Sequence, residues 1–225
     1  MAIRFFVIFV LVLILSFMVG GAFSSAVKDA VDERPVPAED WDDSAKLWAA
    51  RSVVGEVGFI RKSRPGEIED EYVSVLSVYA KRLREIRASR PTDGWTFERV
   101  VRKYSAAVKS FTRRRWLIQM DLDGSKPKSW PNDHGKWKSV HMPLWLDALD
   151  VVDRWARGEI STKTPTANHY GGAMDAYYAE KVLKWKRVKA PKYFGNRFYN
   201  SRILTGKPLY SNIMISRYER FMSKR

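Results

Sequence analysis

Glu56 is the acidic residue whose sequence context most favours chemistry. It lies at the end of an apolar helical run, between Gly55 and Gly58. Its other close neighbours are apolar: Val53, Val54, Val57 and Phe59. A carboxyl group in such surroundings loses hydration, which disfavours its charged form, and the negative end of a helix that stops here acts in the same direction. Glycosidic bond cleavage needs an acid that keeps its proton, so Glu56 is a candidate general acid; the alternative is a solvated glutamate at a helix end.

No other set of residues marks a chemical site as clearly. The chain has no Cys and three His (His134, His141 and His169), and none of the His has the i, i+4 spacing of a helical zinc pair. Neither a glycine-rich phosphate loop nor a G-x-S-x-G motif occurs. We therefore expect neither a metal nor a cofactor. The run Arg113-Arg-Arg115 is either an anion clamp or a solvated basic turn.

The charge of the chain indicates an anionic partner. Lys and Arg number 40 against 25 Asp and Glu, which leaves a net charge of +15 over 225 residues. Such a charge favours nucleic acid, anionic lipid or an acidic cell-wall polymer. The chain also carries nine Trp, ten Tyr and eleven Phe, residues that build cores and line grooves for sugar rings or bases.

The first 26 residues have the pattern of a targeting or anchoring segment. Arg4 precedes an apolar run from Phe5 to Val19, which is long for a signal-peptide core and short for a membrane span. Both a cleaved signal peptide and an uncleaved signal-anchor helix stay open. Either one predicts export, with the chain anchored in the inner membrane or located in the periplasmic, extracytoplasmic space. Residues 27–39, charged and with two prolines, are expected to form a linker.

Helical periodicity dominates residues 40–209, which we expect to form one domain, and a basic amphipathic helix is predicted for 210–225. Within the domain the predicted helices run from Trp41 to about Val54, from Glu67 to Arg87, from Thr96 to Lys109 and from Pro143 to Arg157. Asp40 is the expected N-cap of the first helix.

Two stretches of the domain, 110–143 and 162–172, show no period and are predicted to be irregular. Residues 192–199 are aromatic and contain a glycine, which predicts a short strand or a hairpin limb. The expected fold class is therefore mainly α, of the α+β kind, with a small β element.

Three stretches together resemble the SleB-type cell wall hydrolases. Residues 49–58 (AARSVVGEVG) are similar to the opening A-R-x-x-x-G-E-A motif of that family, with Val57 where Ala is usual. Residues 166–173 (TANHYGGA) are similar to its cleft loop, and residues 194–199 (FGNRFY) to its closing G-N-x-x-F-Y segment. Residues 111–116 (FTRRRW), followed by Trp130-Pro131, resemble relatives from bacteriophages. The likeness spans about residues 45–200, and the 110–143 stretch is longer than in the family.

The resemblance implies a lysozyme-like or lytic transglycosylase-like fold, an endolysin-type activity and a monomer without a cofactor. It implies that Glu56 protonates the oxygen of the β-1,4 bond between N-acetylmuramic acid and N-acetylglucosamine in peptidoglycan. Polar residues of the similar stretches, together with one arginine of the basic run, are expected to bind the substrate: Arg115, Asn168, His169, Tyr170, Asn196 and Tyr199.

The second step of the reaction separates two mechanisms. A hydrolase needs a second carboxylate to place water or form a covalent intermediate, and Asp70 and Asp121 are the candidates, both without a distinctive context. In the lytic transglycosylases the 6-hydroxyl of the sugar attacks instead, so no second carboxylate is needed. The absence of a marked partner favours this non-hydrolytic route.

Two other functions stay open. A protein of the same fold can bind peptidoglycan, or serve as a structural part of a virion, without cleaving anything. A membrane-tethered basic protein can bind nucleic acid through its charge, although the predicted export argues against nucleic acid as a specific partner.

Overall fold

A computed structural model of the chain describes residues 34–58, 66–109, 115–130, 135–172, 176 and 178–200. Within these residues the protein is mostly helical with one small antiparallel sheet, which confirms the predicted α+β class. The predicted signal segment (1–26) and C-terminal helix (210–225) lie outside the described residues. None of the helices in the described ranges combines the length and the apolar character needed to cross a membrane.

The described part of the chain contains five α-helices. We number them α1 (Asp43–Val57), α2 (Glu67–Ser89), α3 (Phe97–Tyr104), α4 (Ala106–Lys109) and α5 (Met142–Ala156). Short 3-10 turns (Ala38–Asp40 and Leu117–Gln119) and π-helical turns (Trp137–His141 and Tyr178–Val182) complete the helical structure.

Helix α1 is the central element of the core. It packs against α2, α3 and α5. Six of its small apolar side chains are buried: Ala45, Ala49, Ala50, Val53, Val54 and Val57. Such small side chains let the neighbouring helices approach closely. The apolar run before Glu56 therefore belongs to the helix around which the domain is built.

The start of α1 differs from the prediction. Its N-cap is Asp42 rather than Asp40, because the Asp42 side chain accepts a hydrogen bond from Ala45 N at 2.7 Å. Asp40 lies in the preceding 3-10 turn and forms an ion pair with Arg87 of α2, with 2.7 Å between Oδ2 and Nη2. Val36 is buried in the core, so the end of the predicted linker packs against the domain.

The helix predicted from Thr96 to Lys109 is interrupted at Ser105. Ser105 has an extended backbone, with φ −72° and ψ 120°, between α3 and α4. Its hydroxyl accepts a hydrogen bond from Val108 N at 3.3 Å. Serine favours such capping positions over helix interiors, because its hydroxyl competes for backbone groups. The prediction of one continuous helix is therefore wrong at this residue.

Helices α2 and α5 agree with their predictions. Helix α2 begins at Glu67 as predicted and continues to Ser89. Helix α5 carries Pro143 in its first turn, where the missing N–H of proline costs nothing. The chain leaves α5 through Gly158, which has φ +81°.

Three short strands form the sheet: β1 (His169–Gly171), β2 (Lys186–Val188) and β3 (Arg197–Asn200). Their order is β1-β3-β2, and both pairings are antiparallel. The strand predicted within 192–199 is confirmed as β3. Strand β1 lies in the stretch 162–172, which was predicted to be irregular. The sequence did not reveal this strand, because three residues are too few to show a period of two.

A tryptophan cluster organises the described part of the long 110–143 stretch. Trp130 contacts Trp116 and Trp137 edge-on, with ring centroids 4.6 and 4.8 Å apart. Trp137 donates to Gly124 O at 2.9 Å, and Trp145 of α5 donates to the Asp121 carbonyl at 2.7 Å. These contacts hold an irregular segment against α5 without regular secondary structure.

Candidate active site

Glu56 lies in the last turn of α1, and the helix ends at Gly58. Gly58 has φ +92°, a conformation that favours glycine, and its N–H donates to Val54 O at 2.8 Å. Gly55 stays within the helix. One of the two glycines therefore provides the predicted helix end, which places Glu56 at the negative end of the helix dipole.

Two donors from the α3–α4 junction hold one oxygen of the Glu56 carboxylate. The Ser105 hydroxyl and the Ala107 N–H donate to Oε1 at 2.8 and 2.9 Å. Ala107 lies in the first turn of α4, where a helix leaves N–H groups without internal partners. The interruption at Ser105 therefore supplies both donors. The carboxylate thus has partly polar surroundings, in contrast to the apolar surroundings expected from its sequence neighbours.

The second oxygen of Glu56, Oε2, has no hydrogen-bond donor among the described residues. A carboxyl oxygen in the carbonyl role accepts two hydrogen bonds, and Oε1 already has both. A proton on this half-buried carboxyl group therefore lies on Oε2. Glu56 can transfer that proton through one oxygen while Ser105 and Ala107 fix the other.

Two tyrosines, the buried Tyr79 and the partly buried Tyr170, lie close to Glu56. The hydroxyls of Tyr79 of α2 and Tyr170 of β1 share a hydrogen bond, and the Tyr79 hydroxyl also bonds Ser52 Oγ at 3.0 Å. Burial raises the pKa of Tyr79, and the charge of Glu56 raises it further. The pKa of Tyr170 is raised by burial, then by Tyr79 and by Glu56. Both phenols therefore keep their protons near neutral pH and act as neutral hydrogen-bonding groups beside the carboxylate.

Asn196, a predicted binding residue, joins the end of α1 to α2. Its side-chain nitrogen donates to the Glu56 carbonyl at 3.4 Å and to Glu71 Oε1 at 2.9 Å. Glu71 is 1% exposed, and it also accepts hydrogen bonds from the backbone N–H groups of Gly195 and Asn196. The Asn196 side chain thus contacts protein groups and fixes the peptide that carries Glu56.

The sheet places the predicted aromatic residues on opposite faces, with Tyr170 on one face and His169 and Tyr199 on the other. Neighbouring residues of a strand point to opposite faces, so Tyr170 reaches Tyr79 while His169 contacts the Trp185 ring in a tilted arrangement, with ring centroids 4.0 Å apart. Tyr199 pairs with His169 across the strands and donates to a glutamate outside the Glu56 region, Glu180, at 3.3 Å. The structure therefore brings Tyr170, and neither His169 nor Tyr199, to Glu56.

Asn168 and His169 form a buried pair at the start of β1. Asn168 donates its N–H to Tyr199 O at 2.9 Å and accepts a hydrogen bond from Arg82 Nε at 3.1 Å on its carbonyl. Its Oδ1 lies 2.7 Å from His169 Nδ1. Burial, and then the charge of Arg82, hold the pKa of His169 well below its ordinary value. Both residues therefore contact other protein groups, and the imidazole is neutral at neutral pH.

Arg115, the remaining predicted binding residue, is exposed. It forms no hydrogen bond or ion pair with another residue in the described ranges. Arg113 and Arg114 lie outside those ranges, so the anion clamp predicted from the basic run stays a prediction.

Neither of the predicted partner carboxylates hydrogen-bonds to Glu56. Asp70 accepts a hydrogen bond from a tyrosine hydroxyl at 2.6 Å, and Asp121 accepts one from the backbone N–H of the next residue at 2.8 Å. The carboxylate that is linked to Glu56, through Asn196, is Glu71. Since Glu71 is buried and accepts three hydrogen bonds from the 195–196 segment, its role is to anchor that segment.

The sequence did not single out Ser105, Tyr79 or Glu71. Tyr79 has the helical spacing of core residues and was expected only to pack, whereas Glu71 is one charged residue among many on its helix. Ser105 offered the one usable signal, since a serine inside a run of helix formers favours a cap and a break.

The arrangement around Glu56 can transfer a proton. Within the described ranges, no three His, Asp or Glu side chains lie close enough together to hold a metal ion. Comparison with known proteins adds no family to this geometry, because the chain matches no protein-family model, no curated protein and no solved structure.

Proposed function

We propose that this chain cleaves the β-1,4 bond between N-acetylmuramic acid and N-acetylglucosamine in peptidoglycan, with Glu56 as the general acid. The observation that carries the proposal is the asymmetric carboxylate, which Ser105 and Ala107 hold at Oε1 while no described residue donates to Oε2. A general acid needs this combination of fixed orientation and an oxygen open to substrate.

Two further points support the proposal. Residues 49–58, 166–173 and 194–199 resemble motifs of the SleB-type cell wall hydrolases in the same order along the chain. The structure places Tyr170 from the second stretch and Asn196 from the third next to the Glu56 segment. We therefore propose a lysozyme-like domain as the finer description of this mostly helical fold.

In the proposed reaction, the proton on Glu56 Oε2 moves to the glycosidic oxygen, and the bond between C1 of the muramic sugar and O4 of the leaving sugar breaks. The 6-hydroxyl of the same muramic sugar then bonds to C1. Its proton passes to the Glu56 carboxylate, which restores the acid. The product is a 1,6-anhydro sugar, and the reaction consumes no water.

We favour the non-hydrolytic route over a muramidase because, among the described residues, no hydrogen bond directs a second carboxylate towards the substrate side of Glu56. An inverting or retaining hydrolase needs such a group within several ångströms of the acid. Glu71 is linked to Glu56 through Asn196, but it is buried and bonded to the backbone. Asp70 and Asp121 bond to other groups.

The proposed setting agrees with the charge of the chain. Peptidoglycan and its attached polymers are anionic, so a net charge of +15 keeps the protein close to the wall. The apolar segment in 1–26 would deliver it there, either by export or by anchoring in the membrane. We propose a phage-type wall-degrading enzyme that acts as a monomer outside the cytoplasm.

The test is the release of soluble fragments from purified cell-wall sacculi by the full-length chain and by Glu56→Gln. General acid catalysis contributes about 10²–10⁴-fold, so release by the variant is expected to fall about 100-fold or more. Glu39→Gln, which changes an exposed carboxylate in the turn before α1, is the matched control and keeps full activity. Equal release by Glu56→Gln and the unchanged chain would refute the assignment. Binding to sacculi without release by either would favour the non-catalytic alternative.

A further inference from the structure

A groove with a cationic lining lies along α3, next to the segment that holds Glu56. Its volume is about 460 Å³. Six of its lining residues carry the argument: Trp48, Glu98, Arg99, Arg102, Lys103 and Val108. Val108 follows the residue whose N–H binds Glu56 Oε1, so the α4 turn separates the groove from the carboxylate.

The groove has an excess of positive charge. Its lining contains three cationic side chains, those of Arg99, Arg102 and Lys103, and one carboxylate, that of Glu98. Glu98 already accepts a hydrogen bond from Arg102 at 2.9 Å. Arg99 donates to a backbone carbonyl, Asp93 O, at 2.8 Å, and neither Arg99 nor Lys103 forms an ion pair with a carboxylate in the described ranges. Two exposed cations thus stand beside each other without a described counter-ion.

The aromatic rings around the groove are covered by the protein's own cations. The Arg102 guanidinium lies 4.7 Å from the centre of the Trp48 ring. Arg99 and Lys103 lie 4.4 and 4.9 Å from the centre of the Trp95 ring. These contacts hold the cations in place, which lowers the entropy that an anion must overcome on binding. They also cover the ring faces that a base or a sugar would need for stacking.

We propose that this groove binds the oxyanions of a cell-wall polymer and holds the chain on its substrate. Guanidinium and ammonium groups recognise carboxylate and phosphate oxygens alike. The oxyanions can come from the peptide stems of peptidoglycan or from phosphodiester polymers attached to it. The identity of the polymer rests on the proposed function, whereas the preference for oxyanions rests on the groove alone.

The test measures binding of the full-length chain to insoluble sacculi, with Glu56→Gln in every variant so that nothing is digested. Arg99→Gln/Lys103→Gln is expected to weaken binding about tenfold, the scale of one or two charge-assisted contacts. Lys138→Gln/Lys189→Gln removes the same charge from exposed positions elsewhere and is expected to change binding less than about twofold. The variant Arg99→Lys/Lys103→Arg keeps both positive charges, so we expect it to bind sacculi as tightly as the chain with the unchanged groove does.

Two treated substrates identify the source of the oxyanions. If the groove variant and the unchanged groove bind equally to sacculi stripped of their phosphodiester polymers, the ligand is phosphate. If amidation of the stem carboxylates abolishes it, the ligand is carboxylate. Equal binding by the groove variant and its control to untreated sacculi would overturn the proposal. A defect seen only with single-stranded DNA would overturn it in favour of nucleic acid. Because no variant needs to cleave the wall, these outcomes are independent of the role of Glu56.

Discussion

Two of the hydrogen bonds of the Ser105 hydroxyl have different consequences. It donates to Glu56 Oε1 at 2.8 Å, and it accepts from Val108 N at 3.3 Å, which caps α4. The same residue therefore ends one helix, starts the next and orients the proposed acid. The second donor, Ala107 N–H, depends on that cap for its position.

Ser105→Ala is expected to reduce both stability and activity. Loss of a hydrogen bond to a carboxylate and of a helix cap costs about 1–2 kcal/mol of unfolding free energy, measured by urea denaturation. Release of fragments from sacculi should fall about tenfold, because Glu56 loses one of its two positioning contacts. The control is Ser77→Ala, since Ser77 also donates to one group and accepts from another, Val73 O and Trp155 Nε1. An equal loss of activity in the control would contradict a positioning role for Ser105.

The buried Tyr79 makes the stability of the protein depend on pH in the alkaline range. The pKa of Tyr79 is raised by burial and by Glu56, so the folded state binds the phenolic proton more tightly than the unfolded state does. The stabilisation is fully present below the ordinary tyrosine pKa of about 10 and is lost as the pH rises towards the folded value. Between these limits, one such group lowers the unfolding free energy by about 1.4 kcal/mol for each pH unit.

Tyr79→Phe is therefore expected to flatten the alkaline branch of the stability profile. At neutral pH the variant is less stable by about 1–3 kcal/mol, because Ser52 and Tyr170 lose a buried partner. Above pH of about 10 the difference from the unchanged chain should shrink. Urea denaturation across that pH range measures both, and a difference that stays constant with pH would contradict the raised pKa of Tyr79.

Helix α1 positions Glu56 through the way it ends. Gly58 adopts φ +92°, and its carbonyl accepts a hydrogen bond from the Tyr72 hydroxyl at 2.6 Å. An L-residue is strained in that conformation. The end of α1, the Ser105 junction and the Asn196 bridge together fix the peptide and the carboxylate of Glu56 from three elements.

Gly58→Ala is expected to cost about 1–2 kcal/mol of unfolding free energy and to lower activity, because relief of the strain moves the last turn of α1. Gly94→Ala is the matched control: Gly94 also has a positive φ, +56°, and a Cβ at either position meets no atom within 4 Å. We expect the control to lose stability but to keep its activity per folded molecule. Thermal denaturation and sacculus digestion, compared for the two variants, would contradict the account if both lost activity equally.

The elements that the sequence predicted well are those with long patterns. The 23 residues of α2 show several turns of helical period, and Pro143 and Gly158 mark the ends of α5, so both helices could be located. The end of α1 at Gly58 was also predictable, because glycine there permits a positive φ. The position of Glu56 at a helix end was therefore predictable from its local sequence.

The contacts of Glu56 could not be predicted, because they join residues far apart in the chain. Ser105 is 49 residues away and the Asn196 side chain 140 residues away. The strands are too short to show which face each residue occupies, so Tyr170 and His169 were predicted to act together although they point to opposite faces. Those assignments depend on the register of β1 against β3, which no local pattern specifies.

At the scale of the whole molecule, the net charge, the α3 groove and Glu56 are proposed to have separate functions. The net charge of +15 attracts the protein to any polyanion. Salt limits the range of that attraction to about 8–10 Å from the surface. In our proposal, the α3 groove adds cations held in fixed positions, which bind oxyanions of the wall more specifically than the net charge alone does. The proposed cleavage depends on Glu56, which lies outside the groove, so we expect that binding and catalysis can be separated by substitution.

The mass of the fragments released from sacculi tests the central claim most directly, since it identifies the bond that is broken. We expect the full-length chain to release fragments that end in 1,6-anhydro-N-acetylmuramic acid, each lighter by one water than the hydrolysed form. Glu56→Gln should release none of them above background. Fragments with the same masses from both proteins, or fragments cut only in the peptide stems, would contradict the assignment of Glu56 as the acid that cleaves the glycan.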